Sequence, residues 1–132
     1  LPVAYGMEEV DFAIRLHSQG GKILTTHWLR VFHNTDLKHH ADPRVTAGSI
    51  ANLALLAYLR YPVSLWGIGV GQCAKRLVWL LRHGRRRGIW EGVTMIPAHL
   101  WSNHRYRVPV SSSAVRSYLA LRRAPVAAET FP

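Results

Sequence analysis

The chain has 132 residues, 48% of them hydrophobic and 18% charged, with a formal net charge of +10. An apolar content near half and the lack of any low-complexity run exclude a disordered linker or a collagen-like chain, and the length allows one domain at most. Cys73, the one cysteine, cannot close an internal disulfide, and no Cys/His finger spacing exists, which excludes a disulfide scaffold and a structural zinc finger.

The chain opens in mid-pattern at Leu1 without an initiator Met, so a fragment of a longer polypeptide is expected. Residues 1–20 lack a basic start followed by an apolar run, and no secretory signal is read there. The spacing predicts a helix over 8–19. Glu8, Glu9 and Asp11 put carboxylates in its first turn, Val10, Ala13, Ile14 and His17 recur at i, i+3, i+4 and i+7, and Gly20-Gly21 ends it. Short strands are expected at 23–26 and 29–32, followed by the polar run His33-Asn34-Thr35-Asp36. Residues 36–44, with His39-His40 and Pro43, read as a loop. From Val45 the period is helical to Arg60, and again from Pro62 to about residue 83, where Gly84 and Gly88 bracket Arg85-Arg86-Arg87. A helix over 89–103 follows, with Pro97 expected to kink it or start a new turn. Residues 108–110 read as extended, Ser111-Ser112-Ser113 offers N-caps, and 114–123 is a short basic helix before a loose tail.

Charge divides the chain. Residues 1–42 hold five acids and four bases, whereas 43–132 hold two acids and thirteen bases, so the whole excess lies in the second part. Such an excess attracts nucleic acid, anionic lipid or phosphorylated substrates. The uncharged stretch 61–74 has 14 residues, short of the roughly 20 that a spanning helix needs. Two readings stay open. In one, a helix pair broken at Tyr61-Pro62 lies on an anionic membrane surface, with Arg60, Lys75, Arg76, Arg82 and Arg85-Arg86-Arg87 toward lipid phosphates and Trp66, Trp79 and Trp90 at interface depth. In the other, the same residues form a buried helical hairpin with a solvated basic face. A nucleic-acid module would set the arginines on phosphates and stack bases on Trp and Tyr. The aromatics sit in apolar stretches instead, without a helix-turn-helix or RNA-binding strand motif, so nucleic acid is disfavoured.

The densest chemistry lies in 1–42: Glu8-Glu9-x-Asp11, then Arg15, then His33. Glu8, Asp11 and Arg15, at i, i+3 and i+7, share a face and are expected to form an ion-paired set, with Glu9 pointing elsewhere. A carboxylate at a helix N-terminus suits a general base, and a His closing a strand suits a metal ligand. Acidic first turns are also ordinary caps and an isolated His is often structural, so the residues by themselves leave both readings open. His33, Asp36 and His39-His40 lack the His-x-x-x-His spacing of a metal pair. Cys73, in a Gly-rich apolar stretch, reads as packing.

The run Ala4-Tyr5-Gly6-Met7-Glu8-Glu9-Val10-Asp11 through Arg15 to Gly20-Gly21-Lys22-Ile23-Leu24 resembles the "E-[DE]-x-D-l-x-x-R-l-x-x-x-G-[WY]-x-[IL]" segment of family-2 glycosyltransferases. The stretch from Val45 to Pro62, with Asn52 and Arg60-Tyr61-Pro62, is similar to a helix that follows the catalytic half in bacterial members. Arg107-Val108-Pro109-Val110-Ser111 to Leu119 is similar to their frequent C-terminal ending. Gly21 stands where the family has Trp or Tyr, and His27 stands near a usual Pro.

The resemblance implies the end of an α+β, GT-A catalytic domain over 1–42. A basic amphipathic helical extension over 43–124, membrane-associated, and a flexible tail over 125–132 would follow. It implies an inverting transferase of cell-envelope polysaccharide synthesis at the cytoplasmic face of the bacterial inner membrane, moving a sugar from a nucleotide-sugar donor to a lipid-linked or polysaccharide acceptor. Glu9 would be the general base, supported by Glu8, Asp11 and Arg15. His33, 24 residues after Glu9, would help hold Mg²⁺ or Mn²⁺. The family's nucleotide-binding half with its Asp-x-Asp is not among these residues, so the chain alone is expected to be inactive.

Overall fold

The computed structural model describes residues 7–23 and 42–125. They form five α-helices: α1 (Glu8–Ser18), α2 (Pro43–Arg60), α3 (Trp66–Arg82), α4 (Ile89–Asn103) and α5 (Ser112–Arg123). Short 3-10 turns at Val63–Leu65 and His104–Tyr106 lie between them.

The α2 helix is the axis of the fold. Asp42 caps it by accepting a hydrogen bond from the Arg44 N–H at 2.8 Å, and Pro43 at the first helical position needs no donor there. Pro62 forces Tyr61 into extended backbone and stops the helix. Its eighteen residues carry apolar or small side chains almost all round, and eleven are buried, the pattern of a helix covered on several sides. Both α3 and α4 pack on it at glycines. A Cβ at residue 69 would stand 2.5 Å from the Ala57 methyl, and one at residue 92 would stand 2.8 Å from the Ala47 carbonyl oxygen. Asn52, buried in α2, receives the His99 ring nitrogen of α4 at 3.0 Å. The α4 helix runs on through the exposed Pro97 without ending there.

The remaining face of α2 meets α1 and α5. Ile14, Ala57, Tyr61, Leu65, Val115 and Tyr118 form one apolar cluster contributed by these helices and the 3-10 turn between α2 and α3. Ser111 caps α5, its hydroxyl accepting from the Ala114 N–H at 3.1 Å.

The α+β architecture expected from the sequence, the end of a GT-A domain, is overturned by the structure. The described residues are 78% helical and none of them is in a strand. They bury their apolar surface helix on helix, so no sheet is needed to cover α1. The strand expectation rested on two short segments bounded by glycines and a polar stretch. Of these, 24–26 and 29–32 lie outside the described residues, and Ile23 is in no regular element. Residues 108–110, expected to be extended, belong to no regular element, and they pair with the end of α2 rather than with a strand. The Val108 and Val110 N–H groups donate to the Leu59 and Arg60 carbonyls at 3.1 and 2.9 Å.

Candidate functional site

Helix α1 starts at a left-handed residue. Met7 has φ 110°, rare for a residue with a side chain, and its carbonyl accepts from the Asp11 N–H at 2.7 Å to close the first turn. From that start the carboxylates diverge. Glu8 and Glu9 are exposed, while Asp11 is 4% exposed.

Asp11 meets Arg60 at the end of α2, itself 5% exposed. The guanidinium grips the carboxylate twice, through Nε to Oδ1 and through Nη2 to Oδ2, the latter at 3.3 Å. Its Nη1 donates to the carbonyls of Tyr106 and Val108 at 3.3 and 3.2 Å. Alongside, Arg107 lies over the rings of Tyr58 and Trp66, 5.5 and 5.6 Å from their centroids, and donates to the Tyr61 carbonyl at 3.5 Å. One buried cation thus joins three stretches far apart in sequence: Glu8-Glu9-x-Asp11, Arg60-Tyr61-Pro62 and Arg107-Val108-Pro109-Val110.

This arrangement changes the expected roles. The Glu8, Asp11 and Arg15 set reduces to a loose contact, Arg15 Nη1 to Asp11 Oδ2 at 3.9 Å with Arg15 59% exposed, a geometry that contributes little. Glu8 stands on the open side with Glu9 instead. Arg60, expected toward lipid phosphates, is turned into the protein by the carboxylate it must neutralise. Sequence reasoning missed the Asp11–Arg60 pair, although a signal existed: an arginine ending an apolar helix is buried only when it has a partner.

Glu8 and Glu9 border an open cleft of about 570 Å³ between α1 and α5, with Phe12 and Ile23 on one side and Tyr118 and Arg122 on the other. Neither Glu8 nor Glu9 has a side-chain partner among the described residues. Burial pushes the Tyr118 phenol above its ordinary range, against the pull of the neighbouring Arg122. Tyr118 and Arg122 reach the cleft only through tertiary packing, and nothing in their local sequence marks them. At the far end of α1 the His17 Nε2 meets the Ser117 hydroxyl of α5 at 3.1 Å, so the two walls are tied together. Burial also raises the Cys73 thiol, which keeps it protonated and accords with a packing role.

His33, Asp36, His39 and His40 lie outside the described residues. Among the described residues no three His, Cys, Asp or Glu side chains converge, so they supply no donor set for Mg²⁺ or Mn²⁺. No described helix is long and apolar enough to cross a membrane. No family model matches the chain, and no curated protein or solved structure matches it.

Proposed function

We propose that this chain carries the acceptor side of an inverting glycosyltransferase similar to family 2, with Glu9 as its general base. The observation that supports the reading best is the convergence on Arg60 of the three stretches that carry the resemblance. That junction leaves Glu9 without a side-chain partner among the described residues, at the mouth of a cleft wide enough for a sugar-sized acceptor.

In this reaction an acceptor hydroxyl attacks the anomeric carbon of a nucleotide-sugar. The new C–O bond forms as the bond to the nucleoside diphosphate breaks, and the configuration inverts. Glu9 takes the hydroxyl proton as charge builds on the attacking oxygen. Phe12 and Tyr118 flank the cleft, where aromatic walls suit the apolar faces of a sugar ring, while Asp11 and Arg60 hold α1 in place. Mg²⁺ or Mn²⁺ with His33 among its ligands belongs to the reading as the resemblance implies it, whereas the described residues contribute proton transfer at Glu9 and the seat for the acceptor. The acceptor is lipid-linked or polysaccharide, and the reaction occurs at the cytoplasmic face of the bacterial inner membrane.

The test uses the full reading frame that contains these residues. Nucleoside diphosphate release is measured from a panel of UDP-, GDP- and dTDP-sugars with membrane extract as acceptor source, for the wild type and for Glu9→Gln at matched protein level. Loss of at least ~10²-fold in Glu9→Gln is expected for a general base. Equal release by both proteins removes Glu9 from the role, and release above background from none of the donors overturns the transferase reading. A second reading, a basic helical module that acts by binding alone, is favoured by the charge of 43–90. That segment contains eight bases and no acid, and Arg60 alone of the eight is ion-paired among the described residues.

A further inference from the structure

Helix α3 presents an aliphatic face that none of the described residues covers. At 3.6 residues per turn, Val70, Ala74, Val78 and Leu81 fall within an arc of about 80°. All four are exposed, with Val70 at 69%, Val78 at 46% and Leu81 at 49%. Gly69 and Leu80, buried, define the opposite side of the helix. Lys75 and Arg82 run along one edge of the stripe, both exposed, and Arg86 and Arg87 follow in the exposed turn after the helix. The basic edge has no internal counter-charge among the described residues. Arg76, at its half-buried margin, rests on the Trp79 ring at 4.8 Å, and burial together with the like charge of Arg85 draws its pKa down.

An aliphatic stripe edged by unneutralised cations is complementary to one kind of surface, an anionic bilayer. The stripe enters the acyl boundary while the cations meet lipid phosphates. Nucleic acid would engage the cations and the exposed Trp79 beside them but leave the aliphatic stripe in water. We infer that α3 lies in the plane of an anionic membrane, held by Val70, Ala74, Val78 and Leu81 and by the phosphate contacts of Lys75, Arg82, Arg86 and Arg87. This deepens the membrane part of the function proposed above, yet it needs no catalysis.

The whole chain is mixed with phosphatidylcholine vesicles and with vesicles containing phosphatidylglycerol, and bound protein is measured by sedimentation. Binding is expected on the anionic vesicles, at least ~10-fold stronger than on neutral ones. Val78→Glu is expected to weaken it at least ~10-fold, and Lys75→Gln with Arg82→Gln by about 25-fold, near fivefold per charge. These sites are exposed, so unchanged circular dichroism and melting establish that the variants are folded. Glu9→Gln is expected to bind like the wild type, so failure of the transferase reading leaves this result intact. Equal binding to neutral and anionic vesicles, indifference to Val78→Glu, or tighter binding to duplex DNA or RNA than to anionic vesicles would overturn the inference.

Discussion

Replacing Arg60 by Met removes the guanidinium while keeping most of the stem that packs at the end of α2. The Asp11 carboxylate, 4% exposed, is then left without its cation, and the carbonyls of Tyr106 and Val108 lose their donor. Stranding one partner of a buried ion pair costs about 3–5 kcal/mol, a large part of the roughly 5–15 kcal/mol that holds a domain folded. At about 4 °C per kcal/mol, between the values for 100- and 150-residue domains, the melting temperature should fall by about 12–20 °C. Urea unfolding followed by far-ultraviolet circular dichroism at pH 7 measures the change as a shift in midpoint at constant slope. The decisive variant is the double one. Arg60→Met with Asp11→Leu leaves no charge stranded, and should recover at least about 2 kcal/mol relative to Arg60→Met alone. A loss below about 1 kcal/mol in Arg60→Met, or costs that simply add in the double variant, would refute the claim that this pair joins α1 to the rest of the fold.

Two helix glycines should respond in opposite directions. Gly92→Ala drives a Cβ to 2.8 and 2.9 Å from the Ala47 carbonyl oxygen and Cα, backbone atoms that cannot step aside, and should cost about 1–3 kcal/mol. Gly71→Ala meets nothing within 4 Å and should gain about 0.5–1 kcal/mol from helix propensity, so equal shifts in urea midpoint would contradict the α2–α4 packing. Tyr118 sets an alkaline limit. Burial raises its pKa in the folded chain, so above the unfolded value of about 10 the unfolded chain ionises first. Stability is therefore full below pH 10 and falls as pH rises above it. Tyr118→Phe should flatten the fall in melting temperature between pH 10 and 11, and an unchanged slope would remove Tyr118 as its source.

What the sequence made legible followed from local rules. The α1 helix was readable from its acidic first turn and its closing glycines, and α5 from the serines before it, because caps and periodicity depend on neighbours a few residues away. The break at Tyr61-Pro62 was readable for the same reason. Charge spacing within one helix misled, because it cannot weigh a partner from another element. Asp11 has Arg15 four residues away, but an exposed, flexible arginine loses to a buried one that reaches the carboxylate with two nitrogens. Likewise Arg60 read as a lipid-facing cation from its basic neighbours, when the deciding fact was a single acid 49 residues earlier. The sheet expectation came from likeness to a family and from two four-residue segments, lengths at which strand and helix patterns cannot be told apart.

The same junction explains why Glu9 is available. Residues 9 and 11 are two steps apart on a helix, about 200° around its axis, so they face nearly opposite directions. Once Asp11 is fixed inward by Arg60, Glu9 must face out. The inward pull is buried, bidentate and shared with two backbone carbonyls, whereas nothing among the described residues competes for the Glu9 carboxylate. The spacing Glu-x-Asp therefore acts as a lever, with the acid that is held setting the direction of the acid that is free. Moving the held carboxylate by one residue would turn Glu9 by about 100° relative to the cleft. The arginine that ends α2 thus acts on Glu9 through Asp11, without reaching the cleft itself.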